Sequence, residues 1–206
     1  MVHVIGVAGG SGSGKTTLVD HICEQLGPEN VLLVQHDRYY RSFDELTFEE
    51  KQQINYDHPD SLDTELFVKN ITQLKAGQPT ELPFYDFSTF SRTDETETAT
   101  PKPVLLIEGI LIFCEAQLRD LIDFKLFVDT DADVRFGRRL QRDVQERGRS
   151  YEFGIQQYLK YTRPMHLEFV EPSKRYADLI IPEGGKNPRA LAFLNAYLQK
   201  LVSEEI

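Results

Sequence analysis

Gly9-Gly10-Ser11-Gly12-Ser13-Gly14-Lys15-Thr16 follows the apolar run His3 to Ala8 and opens the stretch Lys15 to Leu26, which is closed by Gly27-Pro28. The run predicts a buried strand and the stretch a helix, so the octet is a strand-to-helix loop of pattern G-x-x-x-x-G-K-[ST]. Glycines let backbone N–H groups converge on phosphate oxygens, and the helix N-terminus adds partial positive charge. Lys15 reaches the β and γ phosphates of a nucleoside triphosphate, and the Thr16 hydroxyl suits Mg²⁺. Residues Gly9 to Thr16, with Thr17 behind them, form the expected nucleotide-binding set. A chance match in a chain this long is on the order of one in a hundred, and the strand-loop-helix context lowers that further.

Outward from this loop, Val31 to Val34 predicts a second strand, expected beside the first, that delivers Gln35-His36-Asp37 into a loop. Thr47 with Glu50 forms a capping box, and Asp63 caps a helix with Phe67, Ile71 and Leu74 on one face. Residues 80–103 mix aromatic and polar residues between prolines and predict an irregular hairpin projecting from the sheet. Val104 to Ile107, ending in Glu108-Gly109, and Lys125 to Val128, ending in Asp129, are further strands, with Tyr176 to Ile181 as the fifth. Asp133 to Gln145 is a basic helix, Glu152 to Val170 a helix interrupted at Pro164, and Asn187-Pro188 starts the last one. Strands alternating with helices imply an α/β fold: a parallel five-stranded sheet flanked by helices, with ligands at the carboxyl ends of its strands.

At 206 residues and 40% hydrophobic content the chain suits one domain, residues 1–206, with the hairpin near 80–103 and a lid near 133–160 as insertions. A formal charge of -10 argues against nucleic acid or an anionic membrane as partner, so an anion site must be local. Cys23 and Cys114 sit in apolar stretches and read as small buried hydrophobes, as expected of an untargeted cytoplasmic protein. The five histidines lack metal-ligand spacing.

The loop alone allows a GTPase switch, an ATPase or a small-molecule kinase. No Asn is followed by Lys and no D-x-x-G occurs, which removes the usual guanine-reading and switch elements. A kinase needs a base near the acceptor hydroxyl, acids for the metal, and cations over the transferring phosphoryl group. Asp37, at a strand end, is the candidate base and lies near the metal. Glu108, after four apolar residues, holds Mg²⁺ directly or through water, with Thr16. Arg135, Arg138, Arg139, Arg142, Arg147 and Arg149 place six cations in fifteen residues, interrupted by Asp143 and Glu146. Their self-repulsion calls for an anionic partner, and a phosphate-covering lid able to bend at Gly148 is the natural one.

Gln35 to Tyr40 (QHDRYY), Asn55 to Pro59 (NYDHP), Tyr85-Asp86-Phe87, Glu108 to Leu111 (EGIL), Phe127 to Thr130 (FVDT) and Arg142-Asp143 through Glu146 to Arg149 (ERGR) resemble the uridine/cytidine kinases. The resemblance covers nearly the whole chain. It implies transfer of the γ-phosphoryl of ATP or GTP to the 5′-hydroxyl of a pyrimidine ribonucleoside in pyrimidine salvage, and a homotetramer. It also implies that Asp37 is the base, with Thr16 and Glu108 around Mg²⁺. Asp57 accepts from the ribose 2′ and 3′ hydroxyls, and Arg139 is a ribose-side arginine. Tyr40, Tyr56, Tyr85 and Phe87 surround the nucleoside, while Arg142, Arg147, Arg149, Gln157 and Tyr158 occupy lid and substrate positions.

Physical chemistry agrees on the diol: a carboxylate takes two hydrogen bonds from a ribose, and losing one leaves it partly unsatisfied. Aromatic faces stack the base; Phe84 reads as core, whereas Tyr85, Phe87 and Phe90 read as pocket. Many members of the family carry histidine where this chain has Phe90, facing the exocyclic edge of the base. Phenylalanine offers neither donor nor acceptor, so weakened use of uridine and a cytidine preference are expected. The rival readings are a kinase of the same superfamily with another hydroxyl acceptor, and a nucleotide-dependent switch without acceptor chemistry.

Overall fold

The computed structural model describes residues 1–203. Strand β1 (His3–Gly9) leads into α1 (Lys15–Leu26), and β2 (Val31–Gln35) into a 3₁₀ turn at His36–Tyr39. Helices α2 (Phe48–Lys51) and α3 (Thr64–Lys75) precede the hairpin of β3 (Thr80–Asp86) and β4 (Ser91–Ala99). Next come β5 (Val104–Glu108), α4 (Ala116–Leu121), β6 (Phe124–Asp129) and α5 (Ala132–Gln145). A long helical run contains α6 (Tyr151–Gln157), α7 (Arg163–Met165) and α8 (Glu171–Ser173); β7 (Leu179–Pro182) and α9 (Pro188–Ser203) complete the described chain.

The five-stranded sheet is parallel, in the order β2-β5-β1-β6-β7. The second strand is therefore not beside the first, as expected from sequence: β5 lies between them, pairing Val7 and Gln35 alike with Glu108. Adjacency in a sheet is decided by long-range packing, which local pattern does not carry. Successive β1 residues face opposite layers, as the pleat requires. Val4 and Ala8 join Phe67, Ile71 and Phe113 on one side, while Ile5 and Val7 join Leu18, Ile22, Leu194 and Leu198 on the other. Burial on both faces explains why these strands are nearly all apolar. Each such large side chain contributes about 1.5–3 kcal/mol.

The expected caps form. Thr47 accepts from the backbone of Glu50, whose carboxylate returns to the Thr47 N–H, and Asp63 accepts from Leu66. Asn187 Oδ1 accepts from the N–H groups of Arg189 and Ala190, at 3.2 Å each. Pro164 does not interrupt its helix as its missing N–H suggested. Wide π turns at Tyr158–Thr162 and His166–Val170 flank it, and the prolines at 164 and 172 fall in the first turns of α7 and α8, where no N–H is needed. Strand β7 starts at Leu179 rather than Tyr176, because Lys174–Tyr176 is a 3₁₀ turn. Among the described residues no helix is long and apolar enough to cross a membrane.

The β3-β4 hairpin is antiparallel, with its register shifted between Pro83 and Tyr85. Two arginines fasten it to the loop after β2. Arg38 donates through Nε to the Pro83 carbonyl and through Nη1 to Glu97, both at 2.8 Å. Arg92 donates to the carbonyls of Tyr40 and Tyr39 and to the Asp63 carboxylate. These bonds tie the hairpin to the end of β2.

Candidate active site

At the carboxyl ends of the strands lies a cavity of about 800 Å³, walled by the glycine-rich loop, the hairpin and the arginine-rich segment. Its floor is the loop after β1. Gly12 has φ +79°, and a Cβ there would come within 2.4 Å of the Arg135 carbonyl, so the loop needs glycine for shape and for close approach to α5. Arg135, itself buried, supports the loop from below, its Nε donating to the Thr130 carbonyl and its Nη2 meeting His166 Nε2 at 3.0 Å. Lys15 Nζ donates to the Gly10 carbonyl at 3.3 Å and lies 3.5 Å from Glu108 Oε1.

Because β2 and β5 are neighbours, Asp37 emerges one strand over from Glu108. Burial raises the Glu108 carboxyl above its ordinary pKa; the Lys15 ammonium opposes this and Asp37 adds to it. The two acids therefore share one electrostatic neighbourhood with Lys15 and Arg142, a place where added positive charge is stabilised.

Opposite the floor, α5 supplies the arginines. Arg139 grips buried Asp57 with both terminal nitrogens, Nη1 to Oδ1 at 3.1 Å and Nη2 to Oδ2 at 3.3 Å. Thr162 adds its hydroxyl to Asp57 Oδ2 at 2.9 Å. Burial alone would lower the Arg139 pKa, but the carboxylates of Asp57 and Asp143 outweigh it and raise it. Arg142 donates to the Ser11 hydroxyl at 3.1 Å; burial, then the neighbouring Arg147 and Arg139, pull its pKa down. Burial likewise lowers that of Arg149. Crowded, partly desolvated guanidiniums of this kind favour an anion between them.

The third wall is aromatic. Tyr40 packs against Tyr56, Tyr85 and Phe87, with ring centroids 5.3 to 6.3 Å apart. Phe90 stacks on Tyr56 at 5.4 Å and 23°. It sits in the hairpin turn with φ +55°, a left-handed conformation that costs a residue other than glycine on the order of 1 kcal/mol. Arg147 and Arg149 lie over Phe87 and Phe90, 5.6 and 6.0 Å from their centroids, so the lid touches the hairpin directly.

Of the residues singled out by sequence, the cavity brings together Ser11, Gly12, Gly14, Lys15, Thr16, Thr17, Asp37, Tyr40, Tyr56, Asp57, Tyr85, Phe87, Phe90, Glu108, Arg139, Arg142, Arg147, Arg149 and Gln157. Gly9, Gly10 and Ser13 shape the loop from behind. Tyr158 stands outside the lining and packs on Phe136, ring centroids 4.5 Å apart. Phe84, read as core, is instead 39% exposed at the cavity edge beneath the Arg38 guanidinium, between Pro83 and Tyr85 where the hairpin register shifts. Sequence reasoning missed Glu183, Gly185 and Lys186, which line the cavity beyond β7 and could have been found from the rule that ligands sit at strand carboxyl ends. Thr162 gave no signal, since its contact with Asp57 spans 105 residues.

Comparison with known proteins bears on this arrangement. A sequence model of the phosphoribulokinase / uridine kinase family matches residues 4–189. The chain is 53% identical over 196 residues to a uridine kinase of Chloroflexus aurantiacus, covering 95% of this chain and 94% of the relative. It is 48% identical over 199 residues to a uridine kinase of Macrococcus caseolyticus, with 97% of both covered. Among solved structures, phosphoribulokinase from Rhodobacter spheroides superposes with a TM-score of 0.63 at 13% identity, over 87% of this chain and 69% of that one. That likeness concerns the fold. The phosphate loop, the acids on adjacent strands and the near full-length identity converge: this chain belongs to the phosphoribulokinase / uridine kinase family.

Proposed function

We propose that the protein transfers the γ-phosphoryl group of ATP or GTP to the 5′-hydroxyl of a pyrimidine ribonucleoside, uridine or cytidine, giving the monophosphate. The observation that carries this reading is that one cavity holds both the phosphate loop and Asp57 beside stacked aromatics. Relatives about half identical over nearly the whole chain, named uridine kinases, support the acceptor.

In this reading the loop amides and Lys15 hold the triphosphate, and Asp57, gripped by Arg139, accepts hydrogen bonds from the ribose 2′ and 3′ hydroxyls. Tyr56, Tyr85, Phe87 and Phe90 stack the base and exclude water. Asp37 takes the 5′-hydroxyl proton as that oxygen attacks the γ-phosphorus in line; the bond to the bridging oxygen breaks and the nucleoside diphosphate leaves. Lys15, Arg142, Arg147 and Arg149 face the charge that spreads over the transferring group. Thr16 and Glu108, with Asp37 nearby, suit Mg²⁺, which takes one or two protein carboxylates and fills its other positions with phosphate oxygens and water. The raised pKa of Glu108 is what a nearby cation would reverse. Bound there, Mg²⁺ neutralises phosphate charge.

Residues 1–206 then act as one kinase domain with the hairpin and lid as insertions, in cytoplasmic pyrimidine salvage and as a homotetramer. Release of ADP measured with uridine, cytidine and other hydroxyl acceptors tests the reading. Release strongly stimulated by a pyrimidine ribonucleoside is expected. Stimulation only by an unrelated alcohol, or release indifferent to any acceptor, would overturn it.

A further inference from the structure

Asp143, in the last turn of α5, is 1% exposed yet lies among arginines that face the cavity. Its Oδ1 is shared by Arg147 Nη1 at 3.2 Å and Arg149 Nη1 at 3.5 Å. Its backbone carbonyl accepts from the Arg149 N–H at 3.0 Å, wrapping the turn through Gly148 around the acid. Its Oδ2 faces Arg139 Nε at 3.7 Å, beyond hydrogen-bond range. That Nε–H is buried and has no hydrogen-bond partner, while the other two nitrogens of Arg139 hold Asp57. One buried acid thus stands between the lid arginines and an unsatisfied donor on the arginine that orients Asp57.

An unpaired buried donor and a carboxylate a few tenths of an ångström out of reach are a poised arrangement, because closing the gap satisfies both groups. What holds the carboxylate back is its engagement with Arg147 and Arg149, the guanidiniums a triphosphate would also attract. We propose that Asp143 is a positioning residue that couples the two subsites. Phosphate oxygens draw Arg147 and Arg149 off Oδ1; the freed carboxylate closes on Arg139 Nε; and Arg139 is thereby locked on Asp57 in the geometry that receives the ribose diol. Linkage makes the effect mutual, so the nucleoside tightens the triphosphate by the same factor. The proposal rests on the function given above, since it takes a triphosphate and a ribonucleoside as the two ligands.

The test is calorimetric titration of uridine into the full-length protein, with and without the β,γ-imido analogue of ATP and Mg²⁺. The analogue is expected to tighten uridine about fivefold or more, the lower end of usual coupling. Asp143→Asn, which keeps the shape but not the charge, is expected to bring that factor close to one while its binding of uridine alone changes little; its melting temperature falls, because a buried ion-pair partner is lost. Arg139→Lys, which retains a charge but lacks the Nε donor, is expected to lose the coupling too, and it serves if Asp143→Asn folds poorly. Uridine binding without coupling in the native protein, or full coupling in either variant, overturns the relay alone. If uridine does not bind, cytidine takes its place in the same titration, and binding of neither nucleoside overturns the proposed function and the relay together.

Discussion

Arg139 reaches across the cavity to lay its two terminal nitrogens on the two oxygens of Asp57, at 3.1 and 3.3 Å, joining the lid helix to the loop after α2. A carboxylate held this way is fixed in orientation and keeps lone pairs for a diol. Asp57→Asn is expected to raise the KM for uridine and to bring the kcat/KM ratio of uridine over 2′-deoxyuridine down by about tenfold, since a hydrogen bond to a charged partner is worth roughly 1.5–3 kcal/mol. Steady-state kinetics with the two nucleosides checks this; an unchanged ratio would remove Asp57 from the ribose site.

Asp37 leaves β2 beside Glu108 with its side chain in the cavity. Asp37→Asn removes a proton acceptor at nearly constant shape. It is expected to lower kcat by about 10²–10⁴, the usual contribution of a general base, while ADP binding by calorimetry stays within about twofold. Near-native turnover in that variant would assign the proton to another group.

In the proposed site Phe90 would offer the base edge only hydrocarbon, from a backbone conformation that favours smaller or polar residues. The native protein is expected to show a higher kcat/KM for cytidine than for uridine. Phe90→His, which restores a ring N–H at the same position, is expected to raise uridine use about tenfold, within the roughly 1–3 kcal/mol cost of an unpaired buried acceptor. A clear native advantage for uridine would contradict this.

His36 is wholly buried, stacked on Phe67 with centroids 4.5 Å apart, beside Gly109 and next to Asp37 in the chain. Burial pushes its pKa down to about 3 from the ordinary 6.5. With the folded value below the unfolded one, its contribution to stability is complete above about pH 6.5 and is lost as pH falls toward about 3, at up to about 1.4 kcal/mol per pH unit. Urea denaturation at pH 7 and pH 5 should show the native protein losing about 2 kcal/mol more than His36→Phe. Equal losses would mean that the imidazole takes up its proton inside the fold.

The sequence made Lys15, Thr16, Asp37 and Glu108 legible because their signals are local: a fixed spacing, or an acid ending an apolar run. Asp57 and the aromatic wall became legible through family motifs. Contacts between distant segments were not legible. Arg38 and Arg92 pin the hairpin through carbonyls 45 to 53 residues away, and no periodicity announces a backbone acceptor. Pro164 misled because its missing N–H was weighed against an α-helix alone, when a wider turn removes the conflict. Phe84 misled because Leu82 and Pro83 are both buried, so the inside-outside alternation breaks there and Phe84 faces out.

The insertion of β5 between β1 and β2 has one more effect. Gly9, where β1 hands over to the phosphate loop, and Gln35, where β2 hands over to the turn carrying Asp37, stand two interstrand spacings apart, about 10 Å. Backbone hydrogen bonds of the sheet fix that gauge, and drift in the surrounding loops leaves it unchanged. Sequence variation in the hairpin and the arginine-rich segment can therefore reshape two walls of the cavity without altering how far apart these strand ends are held.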